Sequence, residues 1–330
     1  MRLILLYFLL LLPCACSAQL QPPPKLAFLQ PADTFHKGRF WTSAITGGIV
    51  YGSVVVGLNE LWYADYPRTS FQFFDDRGEW NDMDKYGHLF TTYFESRWSY
   101  TGARWAGIER RKAIWLGASL GMLYQTTVEM LDAFSEEWGF SIADMAYNTL
   151  GAAVFVSQEF IWQEQRIVLK VSSNPLSYPN TPIASDSGQD NYPLSQRAEE
   201  LFGGSYPASF LKDYNAMTIW ASANLRSFMP NKKHSKLPPW LNVAVGVGAG
   251  NMYGGFANQW EEDGETYRLD DDLYPRYRQF YLSLDIDLTR IKTKSHFLKT
   301  LFGLVNVIKI PAPTFEVNTL GQVRFHPIYF

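Results

Sequence analysis

The apolar residues of this chain change their period once, and that change limits the architectures open to it. Up to about residue 165, apolar and small side chains recur every three to four positions, as on helices packing by one face. Beyond about residue 200 the period is two. From Arg278 to Arg290, Phe280, Leu282, Leu284, Ile286 and Leu288 alternate with Gln279, Tyr281, Ser283, Asp285, Asp287 and Thr289, so one face of the strand is apolar and the other polar. Asn242 to Gly250 alternates in the same way, and Met217 to Phe228 and Thr314 to Phe330 are further strand candidates. Phe297, Leu298, Leu301, Phe302 and Val305 return at helical spacing and place a short amphipathic helix inside the β region. The fold class is therefore α+β: an N-terminal bundle of about four helices followed by a C-terminal antiparallel β-rich domain.

The start of the chain speaks for export. Met1-Arg2, an apolar run from Leu3 to Leu12, and Cys16-Ser17-Ala18 before Gln19 have the basic tip, short apolar segment and small-x-small site of a signal peptide over residues 1–18. The run is about half the ~20 residues of a membrane-spanning helix. Lipidation at Cys16 is the alternative. Cleavage after Ala18 removes Cys14 and Cys16, the two cysteines of the chain, and with them thiolate metal sites and cysteine nucleophiles.

An extended leader with Pro22-Pro23-Pro24 follows over residues 19–40, then the bundle over 41–168. Residues 169–200, rich in Ser, Asn, Pro and Asp, are expected to be a linker, and 201–330 the β-rich, membrane-associated domain. Helices are expected over Thr42 to Trp62, Met83 to Trp98, Ala103 to Asp132 and Ser141 to Gln165, with a loop from Asp65 to Asp82. Ionised groups lie near the middle of three of the four helices, which lipid would penalise, so they should face the bundle interior, a neighbour or water. Threading the helices through the inner membrane from an exported N-terminus would put Glu109-Arg110-Arg111-Lys112 on the outer side, against the positive-inside preference. A location at the periplasmic face of, or within, the outer membrane follows as the simpler expectation.

A formal charge of −3 without a basic stripe makes nucleic acid an unfavoured partner. The aromatic share of 16%, with eleven Trp, fits a partner in outer-membrane lipid or an outer-membrane protein, and equally a large aromatic core. For the sheet, a soluble form packing its apolar face on the bundle is favoured over a transmembrane barrel, because five or six strands fall short of the eight a closed barrel needs.

Three helices carry polar stripes. Asp84 and His88 are four apart, with Lys85 between them; Gln125, Glu129 and Asp132 stand at i, i+4 and i+7; Asp144, Asn148 and Gly151 repeat that spacing. Each stripe has a plain explanation: Asp144 in a capping box with Ser141, Asp84 as a cap, Asp132 solvated, His88 a hydrogen-bonded core residue. Together they point to one cluster of His88, Asp84, Lys85, Glu129, Asp132, Asp144 and Asn148, serving as a structural network or as a site. In the enzymatic alternative, His88 is the acid or base of a metal-assisted, lipid- or glycan-directed reaction. His88, Glu129, Asp132 and Asp144 would then hold a divalent cation such as magnesium, calcium or zinc. No Gly-x-Ser-x-Gly, His-Glu-x-x-His or phosphate-binding loop is present, so a non-enzymatic envelope component is the leading expectation.

Over roughly residues 40 to 165, Asp84-Lys85-x-x-His88, Glu129-x-x-Asp132 and Gly139-Phe140-Ser141 with Asp144, Asn148 and Gly151 resemble the YfiM family of envelope lipoproteins and, more distantly, the VanZ-like membrane proteins. The resemblance implies a small helical bundle at a membrane and brings no reaction with it.

Overall fold

The computed structural model describes residues 28–63, 66–231 and 234–330, so the expected signal peptide and residues 19–27 of the leader lie outside the described residues. Helix α1 (Lys37–Leu58) is capped by the His36 ring, which accepts from the Arg39 N–H, and ends in a π turn over Asn59–Tyr63. It is followed by α2 (Met83–Trp105), α3 (Arg110–Asp132) and α4 (Ile142–Ile161). The last two begin where the sequence supplies caps: Glu109 accepts from Arg111 N and Ser141 from Asp144 N.

Helices α2, α3 and α4 form the bundle proper, held close by glycines at their crossings. A Cβ on Gly151 would stand 2.3 Å from the Leu89 carbonyl oxygen, and one on Gly121 would stand 2.4 Å from Ser96 Oγ. Helix α1 lies outside, stacking Tyr51 on Tyr124 of α3, and its apolar residues face away from the protein. It is long and apolar enough to cross a membrane.

Strand β1 (Ile167–Ser173) follows α4. The chain continues through a hairpin of β2 (Pro182–Ala184) and β3 (Asn191–Pro193), then α5 (Leu194–Phe202), α6 (Tyr206–Lys212), β4 (Met217–Asn224) and β5 (Leu241–Gly250). After the hairpin β6 (Gln259–Glu262) and β7 (Glu265–Arg268) come β8 (Tyr277–Ile286), α7 (His296–Val305), β9 (Ala312–Asn318) and β10 (Val323–Tyr329). The main sheet has six strands in the order β1-β4-β5-β8-β9-β10, every neighbour antiparallel. The α+β class and the four N-terminal helices agree with the sequence reading.

Two expectations need correction. Residues 169–200 are not a plain linker, since most of β1, all of β2 and β3 and most of α5 fall within them. Strand β1 escapes composition because its sequence, IVLKVSS, puts Lys170 and Ser172 on one face, and here that face is buried.

The second correction concerns the faces of the sheet. Its polar face turns inward: on β8, Ser283 and Asp285 are 4% and 1% exposed, whereas Phe280, Leu282 and Leu284 are 50%, 52% and 49% exposed. The interior holds the pair Lys170–Asp285 at 2.8 Å, Glu316 with His326 at 2.7 Å, and Tyr329 donating to Tyr281 at 2.8 Å. Lys309 lies over the Trp220 ring. Gly246 on β5 makes room for that indole, since a Cβ there would be 2.6 Å from it.

The apolar face is covered by the bundle only over β1, β4 and part of β5, where Leu169, Val171, Ile219 and Ala221 meet residues such as Phe90 and Met83 of α2. Over β8, β9 and β10 it is bare, with Phe315, Val317, Val323, Phe325 and Ile328 exposed.

Candidate functional site

The site is assembled where α2, α3 and α4 converge below the loop that precedes α2. Trp80, Asn81 and Asp82 in this loop have φ of 47°, 53° and 61°, left-handed conformations that are costly for residues with side chains. Ties to the β half hold them there: Trp80 N donates to Gly255 O at 2.7 Å, and Asp82 pairs with Arg278. The loop thereby carries Asp76 into the bundle, where it is 5% exposed.

Lys85 stands at the centre. Its side chain is 2% exposed, and Nζ lies 2.6 Å from Asp76, 2.7 Å from Asp84 and 3.0 Å from Asp144. Burial alone would weaken the ammonium, but Asp84 and Asp144 outweigh it and carry the Lys85 pKa well above its ordinary value. Ser141 donates to Asp76 at 2.7 Å and accepts from Asp144 N at 3.0 Å. Ser141 is thus the cap of α4, and the Asp144 carboxylate is free of that duty and turned to Lys85. The Asp84 carboxylate likewise lies on Lys85; the N-cap of α2 is Asp82, which makes no side-chain cap hydrogen bond.

One turn along α2, His88 Nε2 lies 3.6 Å from Glu129 Oε1 and 3.9 Å from Asp144 Oδ2. In the orientation of its amide here, Asn148 Oδ1 accepts from His88 Nδ1 at 3.2 Å, with Thr92 Oγ1 2.8 Å from the same oxygen. That bond puts the ring proton on Nδ1 and leaves the Nε2 lone pair facing the two carboxyl groups. Glu129 is 1% exposed. Its Oε2 accepts the Ser141 N–H at 3.0 Å, while Oε1 has no hydrogen-bond partner among the described residues.

The electrostatics follow from burial. Desolvation raises the Glu129 carboxyl to about 8, partly opposed by the Ser141 N–H. Asp84 is raised to about 6 by burial against the pull of Lys85. Asp144 is raised by burial and by its hydrogen bond with Asp76. Burial acts the same way on Asp76, but hydrogen bonds with Asp144, Lys85 and Ser141 outweigh it and leave Asp76 lowered. Burial and the Lys85 charge hold His88 down at about 4, so its ring is neutral near pH 7.

Of the residues singled out from sequence, Asp84, Lys85, His88, Glu129, Asp144 and Asn148 meet in one network. Asp132 stands apart: its Oδ1 accepts from Tyr63, past the end of α1, at 2.6 Å. It is not among the ligand atoms grouped around His88, which come from Glu129 and Asp144. Burial raises Asp132 to about 7, against the hydrogen bond from Tyr63. Asp76 and Thr92 were not anticipated. Asp76 reaches the site through the fold of a loop, which no local spacing announces; Thr92, at i+4 from His88, continues the polar stripe of α2 and was legible there.

Residues 72–158 match the model of a family described as predicted periplasmic lipoprotein (DUF2279). The matched stretch takes in the loop with Asp76, all of α2 and α3 and most of α4, and neither α1 nor the sheet. It supports an exported, periplasmic envelope protein at the level of the resemblance stated above, without singling out YfiM or VanZ. No curated protein and no solved structure matches the chain.

Proposed function

We propose that this chain is a non-enzymatic component of the cell envelope that seats the bare part of its sheet, with α1 and α7, in the lipid of the outer membrane at its periplasmic face. The observation that carries the reading is the polarity of the sheet. In water a two-faced sheet buries its apolar side and wets its polar side. Here the interior polar groups are paired with one another, and Phe280, Leu282, Leu284, Phe315, Val317 and Phe325 are turned outward. That is the arrangement of strands facing lipid.

The helical surface continues it. Helix α1 shows Trp41, Ile45, Ile49, Val50 and Val54, and α7 shows Phe297, Leu298, Leu301 and Leu304. An apolar surface spread over a sheet and two helices suits a fluid lipid phase better than a single protein partner of fixed shape. The bundle would then hang on the periplasmic side, its network of buried charges keeping the three helices in register.

Flotation with vesicles made from outer-membrane phospholipid tests the reading. The full-length protein should rise with the vesicles and resist a high-salt wash. A double variant Leu282→Lys, Phe325→Lys, with two charges each worth about 2 kcal/mol against insertion at depth, should stay behind with an unchanged circular dichroism spectrum. A wild-type protein that remains monodisperse in the aqueous fraction would show that lipid is not what covers this face.

A further inference from the structure

The cluster on α2, α3 and α4 has a feature that the membrane reading does not use. Four buried or nearly buried carboxyl groups, Asp76, Asp84, Asp144 and Glu129, surround one ammonium, Lys85. Lys85 reaches three of them and not Glu129. Glu129 instead directs Oε1, unpartnered, at the imidazole of His88, whose proton sits on the far nitrogen, held by Asn148. An acceptor oxygen facing a lone pair is unfavourable unless a proton or a cation lies between them, and a bound cation would take the place of the proton.

We propose that His88 Nε2, Glu129 Oε1 and Asp144 Oδ2 form a site for one divalent cation of the borderline class, of the zinc kind. Two donors about 2.1 Å from one ion stand at most about 4.2 Å apart. His88 Nε2 meets that limit with both oxygens, at 3.6 and 3.9 Å, and the three residues each bring a ligand atom within 4.8 Å of the other two, so a small closure of the carboxyl groups completes the set. One imidazole selects against magnesium and calcium, and two carboxylates select against soft ions. With a neutral ring, two carboxylates and a 2+ ion, the group is uncharged, which suits its burial. The second shell is present: Asn148 orients His88, and the Ser141 N–H orients Glu129. His88 is 16% exposed at its side chain and leaves a way in from solvent.

The test is made on the untagged full-length protein in detergent, stripped with a chelator and titrated with Zn2+ against Mg2+ as competitor. One ion per chain should bind, with a rise in melting temperature and little competition from Mg2+. Glu129→Gln keeps the shape of the carboxyl group and should fold; it and His88→Gln should each weaken binding by roughly a hundredfold or more, while Asp132→Asn should leave it unchanged. Absence of stoichiometric binding, or binding untouched in Glu129→Gln, would overturn the proposal. If either ligand variant fails to fold, X-ray absorption at the zinc edge of the loaded wild-type protein decides. One imidazole among oxygen ligands upholds the site, and a shell with no imidazole or with several refutes it.

Discussion

Lys85 gives the residue scale its clearest lesson. A lysine near the start of a helix, between Asp84 and Tyr86, is ordinarily solvated, yet here it is buried under three carboxylates from two helices and a loop. The arrangement is asymmetric in energy. Buried ion pairs add little net stability when complete, because desolvation offsets attraction, but they cost much when one member is removed. Lys85→Met should therefore destabilise the fold by about 3 kcal/mol, read as a lower midpoint in urea. The double change Lys85→Met with Asp76→Asn should recover part of that loss. The same reasoning separates what sequence could say of the cluster from what it could not. Asp84, His88, Glu129, Asp144 and Asn148 were legible because helical spacing puts them on inward stripes. Asp132 shares the stripe of Glu129 but sits at the last residue of α3, where the next partner is Tyr63 of a distant segment. Asp76 depends on a loop anchored to the β half, a long-range fact without local trace.

At the scale of elements, the bundle is set by close crossings. Gly151 of α4 lies against the Leu89 carbonyl of α2 with no room for a methyl group. Gly151→Val should force the helices apart at the level of Asn148 and His88, costing about 2 kcal/mol or more, and calorimetry should show a lowered transition. The strands were legible as strands: β5 and β8 fall nearly where alternation places them, at Leu241–Gly250 and Tyr277–Ile286. Which of their faces points inward was not legible. A period of two separates two sets of side chains without saying which set meets solvent, and water is the usual assumption. Asp285 tips the balance the other way because Lys170, two positions beyond the expected end of the bundle, pairs with it inside. Lys170 lay in the segment taken for a linker and Asp285 on a strand far along the chain, so neither could be recognised alone.

For the whole molecule, β1 is the element on which both halves depend. Leu169 is part of the core formed by Tyr93, Ile114 and Phe155, while Lys170, its neighbour, is enclosed in the sheet. Its one edge pairs with β4, and its other meets Val307 and Lys309. Consecutive residues of a single strand thus close two different interiors. A fragment ending at Arg166 would keep all four N-terminal helices and lose the apolar lid over them; it should give weak thermal cooperativity and bind a hydrophobic dye, whereas the full-length chain melts in one step. Seven residues act as a hinge pin instead of a seam, and a gene for this protein is not divisible there: recombination or circular permutation that separates residues 167–173 from either side would be expected to yield no viable half.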